Sequence, residues 1–156
     1  MNTIKIFIAS SAELKPERNE IVDLIQDIKD ELEKQGVKLS PVLWEYMDSS
    51  MRDGRKEDEY LSKLKECEIC IVLFWRTIGE YTLEELNVAE AERQAGRHPQ
   101  KVYMLFKETT DEITPELTEL KANVSNIYPG IPSVTFDCLK TLRECVAKTI
   151  IDRSIE

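Results

Sequence analysis

Apolar side chains recur along this chain in two rhythms, one of period two and one close to 3.6. Thr3–Ala9 (TIKIFIA) alternates and then runs apolar, as a buried strand does. Pro16–Gln35 follows with Ile21, Leu24, Ile25, Ile28 and Leu32 on one helix face. Gly36 closes that helix, and Val37–Trp44 reads as a second strand, which Pro41 assigns to a sheet edge or a bulge. Lys56–Glu66 is a second helix with Leu61 and Leu64 inward, Ile69–Trp75 a third strand, and Leu83–Ala95 a helix stopped by Gly96. Val102–Phe106 gives a fourth strand, Thr114–Ala122 a weak helix, Ser133–Phe136 a short last strand, and Leu139–Ile151 an amphipathic helix.

Five strands alternating with helices predict an α/β fold: a mainly parallel sheet with helices on both faces, joined by right-handed crossovers. The 156 residues suit a single domain over 1–156, able to serve as a module of a longer protein. Sheets of this kind bind ligands beyond the carboxyl ends of their strands. Attention therefore falls on Ser10 and Ser11, on residues 44–48, on 75–85 and on 106–108.

Charge narrows the partners. With 21 Lys+Arg against 30 Asp+Glu the chain carries −9, which repels polyanions and makes nucleic acid a poor partner. No apolar run reaches the roughly 20 residues of a membrane span, and Met-Asn-Thr-Ile-Lys begins a strand, so a cytoplasmic protein without a membrane partner is expected. Cys67-Glu-Ile-Cys70 stands at a strand entrance, where a separation of three directs the two sulfurs to opposite faces. These thiols, with Cys138 and Cys145, read as structural, the alternative being a redox or zinc pair. His98 is the only histidine, so no metal site is expected.

Several chemistries drop out. The glycines, at 36, 54, 79, 96 and 130, fall in neither GxGxxG nor GxxxxGK[ST], which excludes dinucleotide dehydrogenases and P-loop NTPases. One histidine and no GxSxG leave a serine or cysteine hydrolase without a base. Any catalysis must rest on carboxylates.

Thr82-Leu83-Glu84-Glu85 follows the most apolar strand directly. It matches a capping box, with Glu85 reaching back to the threonine amide. The second reading is chemical: a carboxylate one turn into this helix overlooks the sheet mouth, where it could stabilise the cationic carbon that forms as a glycosidic bond breaks. Glu84, one residue round the helix, should face solvent. Ser10 and Ser11, with Glu13, offer oxygens and amides to a ribose or phosphate, or simply cap a turn. Arg52 and Arg55 are phosphate contacts or partners of Asp53 and Glu57. Trp44 and Trp75, at strand ends, stack on a purine or pyridinium ring or pack in the core.

IKIFIASSAELKPERNEI, and then WEYMDSSMRDGRKEDEYLSKLKECEICIVLFWRTIGEYTLEELNVAEAERQAGR, resemble TIR-like (Toll/interleukin-1 receptor-like) domains of bacterial defence proteins over roughly residues 3–107. The resemblance implies a flavodoxin-like five-stranded sheet. It also implies cleavage of NAD+ at the nicotinamide–ribose bond by Glu85, with Ser10, Ser11 and Thr82 near the substrate. NAD would be the substrate, with no other cofactor. Residues 47–55 would shape the pocket and the surface for self-association with other TIR-like domains, which would switch the effector on. Where that family often has Trp-Cys before the glutamate, this chain has Leu83-Glu84. Two alternatives stand beside it: a non-catalytic TIR-like interaction module, and a relative of the nucleoside deoxyribosyltransferases, whose GTxxE spacing Tyr81-Thr82-Leu83-Glu84-Glu85 echoes.

Overall fold

In β1 (Asn2–Ser10), Ile4, Ile6 and Ile8 are buried on one side and Phe7 and Ala9 on the other, as a central strand of a covered sheet requires. The computed structural model describes residues 2–10, 12–43, 61–78, 82–110 and 112–154, and side chains within them at 3–10, 13–40, 61–78, 82–110 and 112–151. After a short 3-10 turn, Ala12–Leu14, come α1 (Lys15–Lys34), β2 (Val37–Leu43), β3 (Ile69–Phe74), α2 (Thr82–Gln94) and β4 (Lys101–Lys107). α3 (Pro115–Ile127), β5 (Ser133–Phe136) and α4 (Leu139–Ser154) complete the order.

All pairings in the sheet are parallel, in the order β2-β1-β3-β4-β5. This is the flavodoxin-like arrangement, with the order reversing between β1 and β3. One face carries Ile6, Ile8, Ile69, Ile71 and Leu105 under Ile21, Leu24 and Ile25 of α1 and Leu142, Val146 and Ile150 of α4. The other carries Phe7, Cys70, Val72, Phe74, Met104 and Phe106 under Leu86 and Ala89 of α2 and Leu117 and Leu120 of α3. Phe74 and Phe106 stack at 5.3 Å across the β3–β4 pair.

Pro41 sits opposite Ile6 in β2, an edge strand, the place in a sheet where proline is tolerated. Gly36 (φ 84°) and Gly96 (φ 78°) end their helices in the left-handed region open to glycine. α3 outruns the predicted Thr114–Ala122: Thr114 Oγ1 caps it by accepting from Leu117 N, and Val124, packed on the α2 side of the core, carries it on to Ile127. Of the helix expected at Lys56–Glu66, residues 61–64 are helical with Leu64 buried and Leu61 half-buried, and 56–60 lie outside the described residues.

The cysteine pair departs from expectation. Cys67 and Cys70 are both fully buried in the same apolar cluster, because Cys67 precedes β3, its N–H donating to the carbonyl of Leu64, and strand alternation does not govern it. Burial pushes the Cys67 thiol up to about 12, and burial together with the nearby Glu85 charge pushes Cys70 up as well. A thiol raised in this way is protonated, and inert, until the pH approaches its folded value. Iodoacetamide at neutral pH should therefore modify exposed Cys138 in the folded protein and leave Cys67 and Cys70 untouched, which mass spectrometry of tryptic peptides will read.

Candidate active site

α2 begins at Thr82 itself, and its inward stripe is Thr82, Glu85, Leu86, Ala89 and Glu90. Three of those five positions are polar. Glu90, near the far end, is held by Arg93 and by Gln94 Nε2 at 3.1 Å. Glu85, in the first turn, is 1% exposed and Thr82 2%, while Glu84 faces solvent as expected. The negative charge of Glu85 acts on Cys70, so it lies on the α2 side of β3. Burying a carboxylate costs several kcal/mol, which makes its position informative.

Ser10 also reaches the carboxyl edge, but its hydroxyl lies on the other side. Strand alternation sends it with Ile6 and Ile8 toward α1, where it accepts from Arg18 Nη1 at 2.7 Å. The structure therefore places the Ser10 and Glu85 side chains on opposite faces of the sheet. Ser11, Trp44, Arg52 and Arg55 lie outside the described residues.

Trp75 follows β3 directly and already carries two cations, Lys107 Nζ at 3.9 Å and the Arg76 guanidinium carbon at 4.1 Å from the ring centroid. Each is anchored to the start of the α1 region. Lys107 Nζ donates to Glu17 Oε1 at 2.6 Å, and Glu13 accepts from the Arg76 backbone N–H at 3.0 Å with Arg76 Nη2 at 3.5 Å. The indole face that the sequence suggests for a ligand is thus engaged internally. The carbonyl of Arg76 in turn accepts from Thr114 N at 2.9 Å, tying the start of the β3–α2 loop to the cap of α3.

Glu17 and Arg18, 3% and 1% exposed, are buried charges that the periodicity alone passes over. The signal was present: Leu14, Glu17, Arg18, Ile21, Leu24 and Ile25 share the spacing of one helix face, so two charges sit in an apolar stripe. Lys107, at the end of β4, completes the network.

The cavities lie beside this network. One of about 390 Å³ is lined by Trp75, Glu108, Thr109, Thr110 and Asp137, at the ends of β3, β4 and β5. Asp137 is held below the usual carboxylate range by the Thr141 hydroxyl, which donates to it at 2.6 Å. A second, of about 270 Å³, has Trp75, Phe106, Ile113 and Leu117 as its apolar lining, with Lys107, Glu108, Thr109 and Lys121 around them. A third, of about 380 Å³, runs between Tyr103, Leu105 and Val134 of the sheet and Cys145 and Lys148 of α4. None of these three is lined by Glu85.

The fold is similar to that of a CMP N-glycosidase from Clostridium botulinum, BcmB: TM-score 0.56 and 17% identity, covering 92% of this chain and 98% of that one. A rubredoxin oxygen:oxidoreductase from Desulfovibrio gigas matches at TM-score 0.47 and 13% identity, covering 97% of this chain and 37% of that one. No family model matches the chain, and no curated protein matches it. At such identities what is shared is the fold.

Proposed function

We propose that this protein hydrolyses the N-glycosidic bond of a nucleotide, with Glu85 as the carboxylate that faces the ribose. The observation that carries the reading is a carboxylate 1% exposed in the first turn of the helix that leaves a central strand, at the ligand-binding edge of a flavodoxin-like sheet. As the bond from C1′ to the base nitrogen breaks, its electron pair leaves with the base and positive charge develops on C1′ and the ring oxygen. An anion fixed beside that carbon lowers the barrier, because it needs no reorganisation as the charge appears. Water then adds its oxygen to C1′ and gives its proton to the base, or to solvent when the base leaves neutral, as nicotinamide does.

For this chemistry a nucleotide must reach the first turn of α2, next in sequence to residues 79–81, which lie outside the described residues. Two substrates are in view. NAD+ is what the TIR-like resemblance implies, with self-association switching the effector on. The fold likeness to a CMP N-glycosidase along nearly the whole of both chains adds nucleoside monophosphates.

The test is to incubate the protein, dilute and then clustered on a scaffold, with NAD+ or CMP and to follow free nicotinamide or cytosine by chromatography. Nicotinamide release that rises on clustering supports the NAD+ form of the reading, and cytosine release at any concentration supports the monophosphate form. No base released from either substrate in either state contradicts it.

A further inference from the structure

Resting on the glycosidic reading above, we infer that the cavity of about 270 Å³ at the end of β4 receives the base: a planar heterocycle bearing a carbonyl next to an amino group. The apolar lining is partly aromatic, with Phe106, Ile113 and Leu117, and suits a planar ring laid against it. The rim carries both signs. Lys107 is neutralised by Glu17, and the same rim offers Lys121 as a donor and Glu108 as an acceptor.

That charge balance argues against a phosphate, which would meet Glu108. It fits a neutral edge whose carbonyl accepts from Lys121 while its amino group donates to Glu108. Lys121 already stands 5.9 Å over the Phe106 ring.

Position agrees with chemistry. Phe106, Ile113 and Leu117 belong to the same apolar cluster as Leu83 and Leu86 of α2, so the cavity lies on the sheet face from which Glu85 projects. A ribose between them would have its base over Phe106 and its anomeric carbon toward α2.

Free cytosine and free nicotinamide are the probes, since neither contains a bond to cleave. In a Trp44→Phe background the remaining tryptophan, Trp75, reports on the cavity it lines. Each base should change Trp75 fluorescence saturably, and ribose 5-phosphate should not. Lys121→Met and Glu108→Gln, both at exposed positions, should each weaken base binding about tenfold, the usual effect of losing one hydrogen bond to a charged group, with the melting temperature unchanged. No saturable change with either base, or affinities that ignore both substitutions, would overturn the inference. Base binding that depends on Lys121 and Glu108 in a protein that releases no base supports this cavity and contradicts the glycosidic reading. Base release without such binding does the reverse.

Discussion

Glu85→Gln should lower base release by about 10²–10³-fold or more, while the protein stays folded. The magnitude is that of deleting one preorganised electrostatic group from a site of developing charge. Glutamine keeps the shape and one carbonyl oxygen but loses the full negative charge, so it separates charge from packing. The structural role of the same residue predicts a different pattern. As a cap and core filler, Glu85 is 1% exposed beside Thr82 and Leu86, and its loss would cost stability of about 1 kcal/mol and leave turnover alone. Turnover and thermal melts on the same preparation distinguish the two. Substantial activity in the glutamine variant would remove Glu85 from the chemistry.

Lys107→Met should lower the unfolding free energy by about 3 kcal/mol, the lower end of the cost of breaking a buried ion pair, because the Lys107 side chain keeps 23% of its surface in water. The cost arises at Glu17, whose side chain is 4% exposed and would lose the cation 2.6 Å from its Oε1. The double variant Glu17→Leu, Lys107→Met removes both charges from an environment that includes Leu14 and Trp75, and should recover most of the loss. Urea unfolding of the wild type, both single variants and the double variant gives the coupling directly. A loss under about 1 kcal/mol in the single lysine variant would mean that the pair behaves as a surface bridge.

The central strand β3 was readable because it is apolar on both sides. Ile69–Phe74 is buried at all six positions, and such a run, between turn residues and beside helices of period 3.6, fits little but a strand covered on both faces. Helix ends were readable where glycine marks them, at Gly36 and Gly96, and not at Ile127, where packing of Val124 rather than local sequence prolongs α3. The two sulfurs of Cys67 and Cys70 share a face because strand alternation does not extend back to Cys67, which lies before β3 begins.

The helix faces of the candidate residues were legible, and their arrangement across the sheet was not. Thr82, Glu84 and Glu85 fall on the helix faces that the spacing assigns. Ser10 and Glu85 both follow from the strand ends, yet alternation in β1 sends the Ser10 hydroxyl to Arg18, under the opposite helix layer. Lys107 of β4, which stands over Trp75, is 32 positions on (107 − 75), and its own partner Glu17 of α1 is 90 positions back (107 − 17), and no local pattern announces contacts at such separations. What local pattern does announce is the anomaly itself: Glu17 and Arg18 within the apolar stripe of α1, and Glu85 within the inward stripe of α2.

The most direct measurement is a crystal structure of the Glu85→Gln protein soaked with CMP or NAD+. The expected result is a nucleotide whose C1′ stands within about 3.5 Å of the side chain at position 85, the near-attack range, with its base toward Phe106. A nucleotide seated elsewhere on the molecule, with the side chain at position 85 still closed into the core beside Cys70, would contradict the account.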